Sequence, residues 1–309
     1  MTGQIRGHAH DHGARMHNRG RLQAVIVIVA TVLVIEVVGA LYSGSLALFA
    51  DAGHMFSDLA GLIVALVALT VAARPATDRQ TFGFQRAEVF GALINGLIVA
   101  GVAIAVGVEA VSRLLSPETS EVKSAMMLAV AALGLVANAG ALLLLRKGAT
   151  TSINLRGAYV EVFGDLLGSV AVVVAAIVIM TTGFEKADAI TSLLIAVMIV
   201  PRAFSLLRDV VRVFSESVPA NTSVAKIRSH ILATTGVVDV HDVHVWAITS
   251  GSHVFSAHIV VEEEVFQRSR SSEILQDLSA CLSDHFDVDH STFQLESEDH
   301  AAREEPRHA

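Results

Sequence analysis

Six long apolar runs fill the first two-thirds of the chain, at roughly 22–42, 46–73, 86–114, 124–145, 156–182 and 187–207. Each approaches or exceeds the about 20 residues a helix needs to cross a bilayer. The connections between them are short and carry Arg74-Pro75, Ser116-Pro117 and Gly183, which mark breaks rather than new elements. Near Val218-Pro219 the pattern changes. The apolar runs shorten and the period falls toward two, as where Val243, Val245 and Ala247 alternate with His244, Trp246 and Ile248. This stretch predicts a helix over 224–234, a turn at Gly236, a strand over 237–249 and a turn at Ser250-Gly251. A strand over 253–261, a helix over 271–285 and a strand over 291–295 follow. An αββαβ order, with two helices on one side of a three-stranded sheet, is a small α+β, ferredoxin-like unit. The fold expected is therefore an α-helical membrane protein: six transmembrane helices followed by a cytoplasmic ferredoxin-like domain. The boundaries are a His-rich tail over 1–20, a membrane domain over 21–214, the soluble domain over 215–296, and an acidic, disordered tail over 297–309.

Composition sharpens the class. Hydrophobic residues make up 53% of the chain and charged residues only 17%, and the mean hydropathy of +0.59 is well above a soluble domain's. One cysteine, Cys281, excludes both a disulfide framework and a thiolate cluster, and reads as an inert residue on a helix face. The net charge of −8 comes from acids in the C-terminal third and in the apolar runs. No basic patch with interleaved aromatics exists, so nucleic acid is not expected as a partner. The first 20 residues are polar and rich in His and Arg, and the run after them is too long for the apolar core of a cleavable leader. Lys and Arg then set the orientation. Arg6, Arg15, Arg19, Arg21, Arg74, Arg79, Arg86, Arg146, Lys147 and Arg156 fall on one side, against Arg113, Lys123 and Lys186 on the other, which predicts both termini in the cytoplasm.

The charged residues inside the apolar runs carry the chemistry. In SLALFADAGHMFSDLAGLIVALVALTVAA, Asp51, His54 and Asp58 fall within about 60° of one helical face. One intramembrane acid costs roughly 2.5–3.5 kcal/mol on insertion scales, so two acids and a histidine on one stripe call for a function. Glu161 and Asp165 repeat the four-residue spacing in a second apolar run. His54, Asp58, Glu161 and Asp165, facing each other, would supply one nitrogen and three carboxylates, a set suited to Zn²⁺. Asp51 lies about six residues into its run and also fits a helix-cap role. Ligands must lose their protons to bind metal, so loading such a site expels protons and unloading takes them back. Glu36 in the first run is a candidate proton relay, grouped with Asp51 beside the metal site. Asn95 and Asn138 read as hydrogen-bond partners between helices. Small residues, among them Gly91, Gly134, Gly140, Gly164 and Gly168, read as places of close helix approach. Two further histidine groups are weaker candidates. His8, His10, His12 and His17 lie in the N-terminal tract and fit loose metal capture on a flexible tail, or plain solvation. His241, His244, His258 and His290 cluster on the small sheet with Glu296 closing its third strand, and fit a cytoplasmic metal site.

The motifs SLALFADAGHMFSD, QTFGFQRAEVFGALING, NLRGAYVEVFGDLLGS and VHDVHVWAITSG resemble the cation diffusion facilitator family, and most of all its bacterial cobalt–zinc–cadmium efflux branch. The resemblance runs from about residue 20 to 296. It implies a homodimeric antiporter of the bacterial inner membrane, exporting divalent metal, mainly Zn²⁺, against protons. The family's central transport site falls on His54, Asp58, Glu161 and Asp165. Many zinc-selective members have histidine where Glu161 stands, and the glutamate leaves Co²⁺ and Cd²⁺ as secondary substrates. The second-to-third connection, RPATDRQ, has no histidine, so the metal site some members hold there is not expected. His241 and His258 match ligand positions of the soluble domain, whereas Gln294 stands where another ligand histidine can occur, so a complete binuclear site is not expected. Zn²⁺ is then substrate and regulatory ligand, with no organic cofactor.

Two other functions compete. A membrane metal sensor would use the helices as an anchor, but six helices with buried carboxylates exceed that need, and no kinase, cyclase or DNA-binding pattern follows them. An intramembrane metalloprotease requires HExxH, which does not occur. The expectation is a transporter and not an enzyme.

Overall fold

The computed structural model describes residues 9–116, 121–146, 153–220, 222–249, 251–267, 270–286 and 288–303. Among these described residues six long helices come first: α1 (Ala9–Ser43), α2 (Leu46–Ala72), α3 (Ala87–Leu115), α4 (Ser124–Arg146), α5 (Ile153–Thr182) and α6 (Lys186–Phe214). Each holds a stretch long and apolar enough to cross a membrane, from Ile26–Ser43 in α1 to Lys186–Phe214 in α6. Two boundaries differ from the hydropathy reading. α1 begins at Ala9, so His10, His12 and His17 lie on helical backbone and not on the flexible tail expected, while His8 lies outside the described residues. No proline falls between residues 9 and 43, so a helix nucleated in the apolar span propagates backwards through the polar tract. α6 continues to Phe214, past residue 207. Arg208, Asp209 and Arg212 lower the hydropathy of its last two turns but do not break a helix.

The chain packs as two units, described in turn. The first comprises Met1–Ile63 and Asn95–Phe204. Here α4 packs against α1 and α5, and small and branched residues such as Ala47, Val99, Met127, Val172 and Ile195 form the core. The expected interhelical bond of Asn138 is present: its Nδ2 donates to Ser169 Oγ at 3.2 Å. The start of α2 is held with unusual thoroughness. Gly44 turns the chain with φ +72, a conformation that suits glycine. Ser45 Oγ accepts from Leu48 N at 3.1 Å, a side-chain N-cap. Asp188, in the first turn of α6, accepts from Ser45 Oγ (2.6 Å), Leu46 N (2.8 Å) and Ala47 N (3.1 Å). Its negative charge sits on the positive end of the α2 dipole, and Arg113 Nη1 stands 3.6 Å from its Oδ2. These two buried side chains satisfy three of the four amides that every helix start leaves orphaned.

The second unit comprises Val64–Ile94 and Ser205–Ala309. Gly91 presses against the α2 segment, where an added Cβ would lie 3.1 Å from both Val64 Cγ1 and Ala68 Cβ. The rings of Phe90 and Phe214 are 5.2 Å apart. The α+β part then runs α7 (Val224–Leu232), β1 (Val237–Thr249), β2 (Ser252–Val261), α8 (Glu263–Gln267), α9 (Ser271–Phe286), β3 (Val288–Ser297) and α10 (Glu298–Ala301). The sheet order is β1-β2-β3. β1 and β2 are antiparallel, as a tight turn permits; β2 and β3 are parallel, and α8 with α9 makes the crossover that a parallel pair demands. Ile227 and Ile231 of α7, Leu278 and Leu282 of α9, and Val240, Val245 and Phe255 of the sheet form one core, so the expected layering holds.

Two details depart from simple alternation. Val240 and Val245 are both core residues although five positions apart, which a regular strand would place on opposite faces. A register shift between His241 and His244 inserts the extra residue, and Asp242 adopts φ 51 there. At the other end, Ser297 is not the start of a disordered tail. It pairs with Val261, and its hydroxyl accepts from His300 N at 3.4 Å to cap α10, whose first turn is acidic as a helix N-terminus favours.

Candidate metal centre

α2 presents His54 and Asp58 one turn apart, and α5 brings Asp165 opposite them. One ligand atom from each lies within 4.8 Å of the other two. His54 Nε2 is 3.8 Å from Asp58 Oδ2 and 3.7 Å from Asp165 Oδ1. Ligands of a tetrahedral Zn²⁺, with bonds of about 2.1 Å, stand about 3.4 Å apart, so each carboxylate oxygen needs to close on His54 by only a few tenths of an ångström. Asp58 and Asp165 are buried, and Asp58 Oδ2 and Asp165 Oδ1 have no hydrogen-bond partner among the described residues. Buried carboxylate oxygens left so cost free energy unless a cation or proton meets them.

Glu161, one turn before Asp165 on α5, is not in that three-residue group. It lines the same cavity of about 420 Å³, with Asp51, His54 and Arg202, but its Oε1 lies 2.9 Å from Arg202 Nη2. The other arm of the same guanidinium, Nη1, is 2.7 Å from Asp58 Oδ1. Thus three of the four expected ligands are gathered and the fourth is held by an arginine of α6. Arg202 was not singled out by the sequence reading; the available signal was a cation inside the sixth apolar run.

Asp51 is not a helix cap, since Ser45 and Asp188 fill that role. It is buried within α2, and Ser169 Oγ donates to its Oδ2 at 3.4 Å, extending the Asn138–Ser169 bond. Glu36 of α1 is fully buried, and its carboxylate lacks a hydrogen-bond partner among the described residues. Glycines make room for both acids: a Cβ on Gly168 would stand 2.7 Å from Asp51 Oδ1, and one on Gly134 would collide with Glu36 Oε1. Gly140 and Gly164 differ from the packing expected of them, for a Cβ on either meets open space.

On the small sheet, register places His241 of β1 opposite His258 of β2, and Glu296 of β3 reaches both. Glu296 Oε2 is 3.2 Å from His241 Nε2, and Oε1 is 2.8 Å from His258 Nδ1. Glu296 is buried. Gln294 Nε2 donates to Glu296 Oε1 at 2.7 Å, so this residue orients the carboxylate. The bulge turns Asp242 toward the same patch, with Oδ2 3.9 Å from His258 Nε2 and Oδ1 3.2 Å from His244 Nε2. His244 is therefore drawn to Asp242 and stands outside the three-residue group, and His290 sits apart with its ring 5.7 Å from that of Phe82. Asp242 was missed because nothing in the alternation marks a bulge.

Comparison with known proteins gives the family. The model of the cation efflux transmembrane domain matches residues 22–215, and that of the cation efflux protein cytoplasmic domain matches 219–298. The metal cation efflux system protein CzcD of Cupriavidus metallidurans is 40% identical over 94% of this chain and 90% of its own length. A cadmium, cobalt and zinc/H(+)-K(+) antiporter of Bacillus subtilis is 35% identical over 95% and 93%. The zinc transporter ZitB of Escherichia coli is 35% identical over 94% and 91%. With both domain models matched in order and relatives aligned over nearly their whole length, the chain belongs to the cation efflux family of membrane transporters.

Proposed function

We propose that the chain is a divalent metal/proton antiporter that exports chiefly Zn²⁺ from the cytoplasm, with Co²⁺ and Cd²⁺ as secondary substrates. The observation that carries this is the meeting of His54 Nε2, Asp58 Oδ2 and Asp165 Oδ1 inside a bundle of apolar helices. One imidazole and two carboxylates, without thiolate, suit a borderline cation such as Zn²⁺, and a three-ligand site leaves a coordination position for exchange. Proton coupling follows from the chemistry of the donors: a metal ion and protons compete for the same carboxylate oxygens, so one leaves as the other arrives. Asp51 and Glu36, buried alongside, serve as the proton route. Six candidate spans among the described residues support termini on one side, and the Lys and Arg distribution supports the cytoplasmic side of the bacterial inner membrane. The matched cytoplasmic domain and the metal-transport functions of the relatives support a metal-exporting homodimer.

The test is uptake of Zn²⁺, Co²⁺, Cd²⁺ and Mn²⁺ into proteoliposomes under an imposed pH gradient. Zinc uptake that follows the gradient, with Co²⁺ and Cd²⁺ slower, is expected. Uptake indifferent to the gradient contradicts the antiport. A second reading concerns His241, His258 and Glu296, whose donor atoms also lie within 4.8 Å of one another. They form a cytoplasmic Zn²⁺ site that senses metal on the side from which it is exported.

A further inference from the structure

Among the described residues, Arg202 is the one Lys or Arg side chain lining the cavity that holds Asp51, His54 and Glu161. Its two terminal nitrogens divide between helices, Nη1 to Asp58 Oδ1 at 2.7 Å and Nη2 to Glu161 Oε1 at 2.9 Å. A planar guanidinium spans two carboxylates in a way a lysine does not, and it keeps its charge at any pH of interest. The pairing sorts the four acid and imidazole groups. Asp165 Oδ1, Asp58 Oδ2 and His54 Nε2 face one another, whereas Glu161 and the second oxygen of Asp58 face the arginine. A metal ion that recruits Glu161 as a fourth ligand must take it from Arg202.

We propose that Arg202 is a latch that competes with the transported metal for Glu161, and so keeps the site in its weaker, three-ligand form until the guanidinium withdraws. This rests on the transport-site reading above and deepens it. The physical reason is plain. Four protein ligands close a zinc site and make it hold its ion, whereas three leave it open to exchange. A transporter must release what it binds. A positive charge a few ångströms from the ion also repels it directly, so removing that charge strengthens binding even before Glu161 moves. Arg202 is therefore a release-determining residue, acting mainly by holding Glu161 and, in smaller part, by its own positive charge.

The experiment is a double-mutant cycle on the purified full-length chain, with zinc affinity from calorimetry and KM and maximal rate from proteoliposome uptake. Arg202→Gln should bind zinc at least tenfold more tightly and transport it with lower KM and lower maximal rate, because release becomes slow. Glu161→Gln should cost less affinity in the wild type than in the Arg202→Gln background, by about tenfold, since only there is Glu161 free to ligate. Arg202→Lys, which retains the charge but not the fork, should fall between. Unchanged or weaker zinc binding by Arg202→Gln overturns the latch, as does an effect of Glu161→Gln that is the same in both backgrounds. Asp58→Ala separates the two ideas. If it binds zinc as the wild type does, the transport site itself is misplaced; if it loses binding while Arg202→Gln changes nothing, the site stands and the latch falls.

Discussion

Asp58 and Asp165 each contribute an oxygen that no hydrogen bond satisfies among the described residues, and each sits on a different helix. Alanine at either position should abolish zinc transport while leaving insertion and folding intact, because it also removes the cost of burying a charge. Size-exclusion profiles should match the wild type; cells made fully zinc-resistant by either variant would show that the site lies elsewhere. His54→Asp should behave differently. It replaces the only nitrogen donor of the group with oxygen, so transport should persist while discrimination against Cd²⁺ and Mn²⁺ falls several-fold in competitive uptake. These residues were legible in the sequence because a charge inside an apolar run is costly, and a four-residue spacing puts two on one face. Arg202 was not. Its partners lie far away along the chain, and a single arginine after Pro201, near the expected end of a span, reads as an interfacial group. Glu161 illustrates the same limit: its spacing to Asp165 is visible, but the competitor that draws it aside comes from another helix.

At the scale of elements, the hydropathy runs located all six helices, because a span must be apolar over its whole length. What they could not show is how each helix is held. The cap on α2 joins Ser45 to a carboxylate 143 residues away, and no local pattern predicts that. Asp188→Ala would leave Leu46 and Ala47 amides and the Ser45 hydroxyl without their acceptor in a buried setting. A loss of about 1–3 kcal/mol follows from the cost of a missing cap and of orphaned donors. It should appear as a lower Tm of the detergent-solubilised protein, and a variant as stable as the wild type would show that water replaces the carboxylate. On the sheet, alternation found β1 to the residue but not its bulge, since an inserted residue changes the pairing without changing the composition. Asp242 reaches the histidine patch for that reason alone.

For the molecule as a whole, class, order of parts and family were readable in advance because hydropathy and the four motifs each cover long stretches. The ends were less readable, since helix propagation into a polar tract and a capped turn after β3 depend on what precedes them. Deleting residues 1–18 should leave the maximal transport rate nearly unchanged, as these residues precede the membrane-crossing stretch that begins at Ile26. Any effect should emerge at low metal, where the histidines would raise the local concentration. A truncated chain inactive at saturating zinc would contradict this. The capping aspartate has a mechanical meaning too. It fixes the start of α6 to the start of α2, while Arg202 rides 14 residues further along α6 and reaches Asp58, 12 residues beyond Leu46 on α2. At 1.5 Å per residue the arm from pivot to guanidinium is about 21 Å long. A tilt of about 10° around that pivot swings the arginine by nearly 4 Å (~21 Å times the tangent), more than the length of either ion pair. Small rocking at one end of two pinned rods is thus enough to throw the catch at the other.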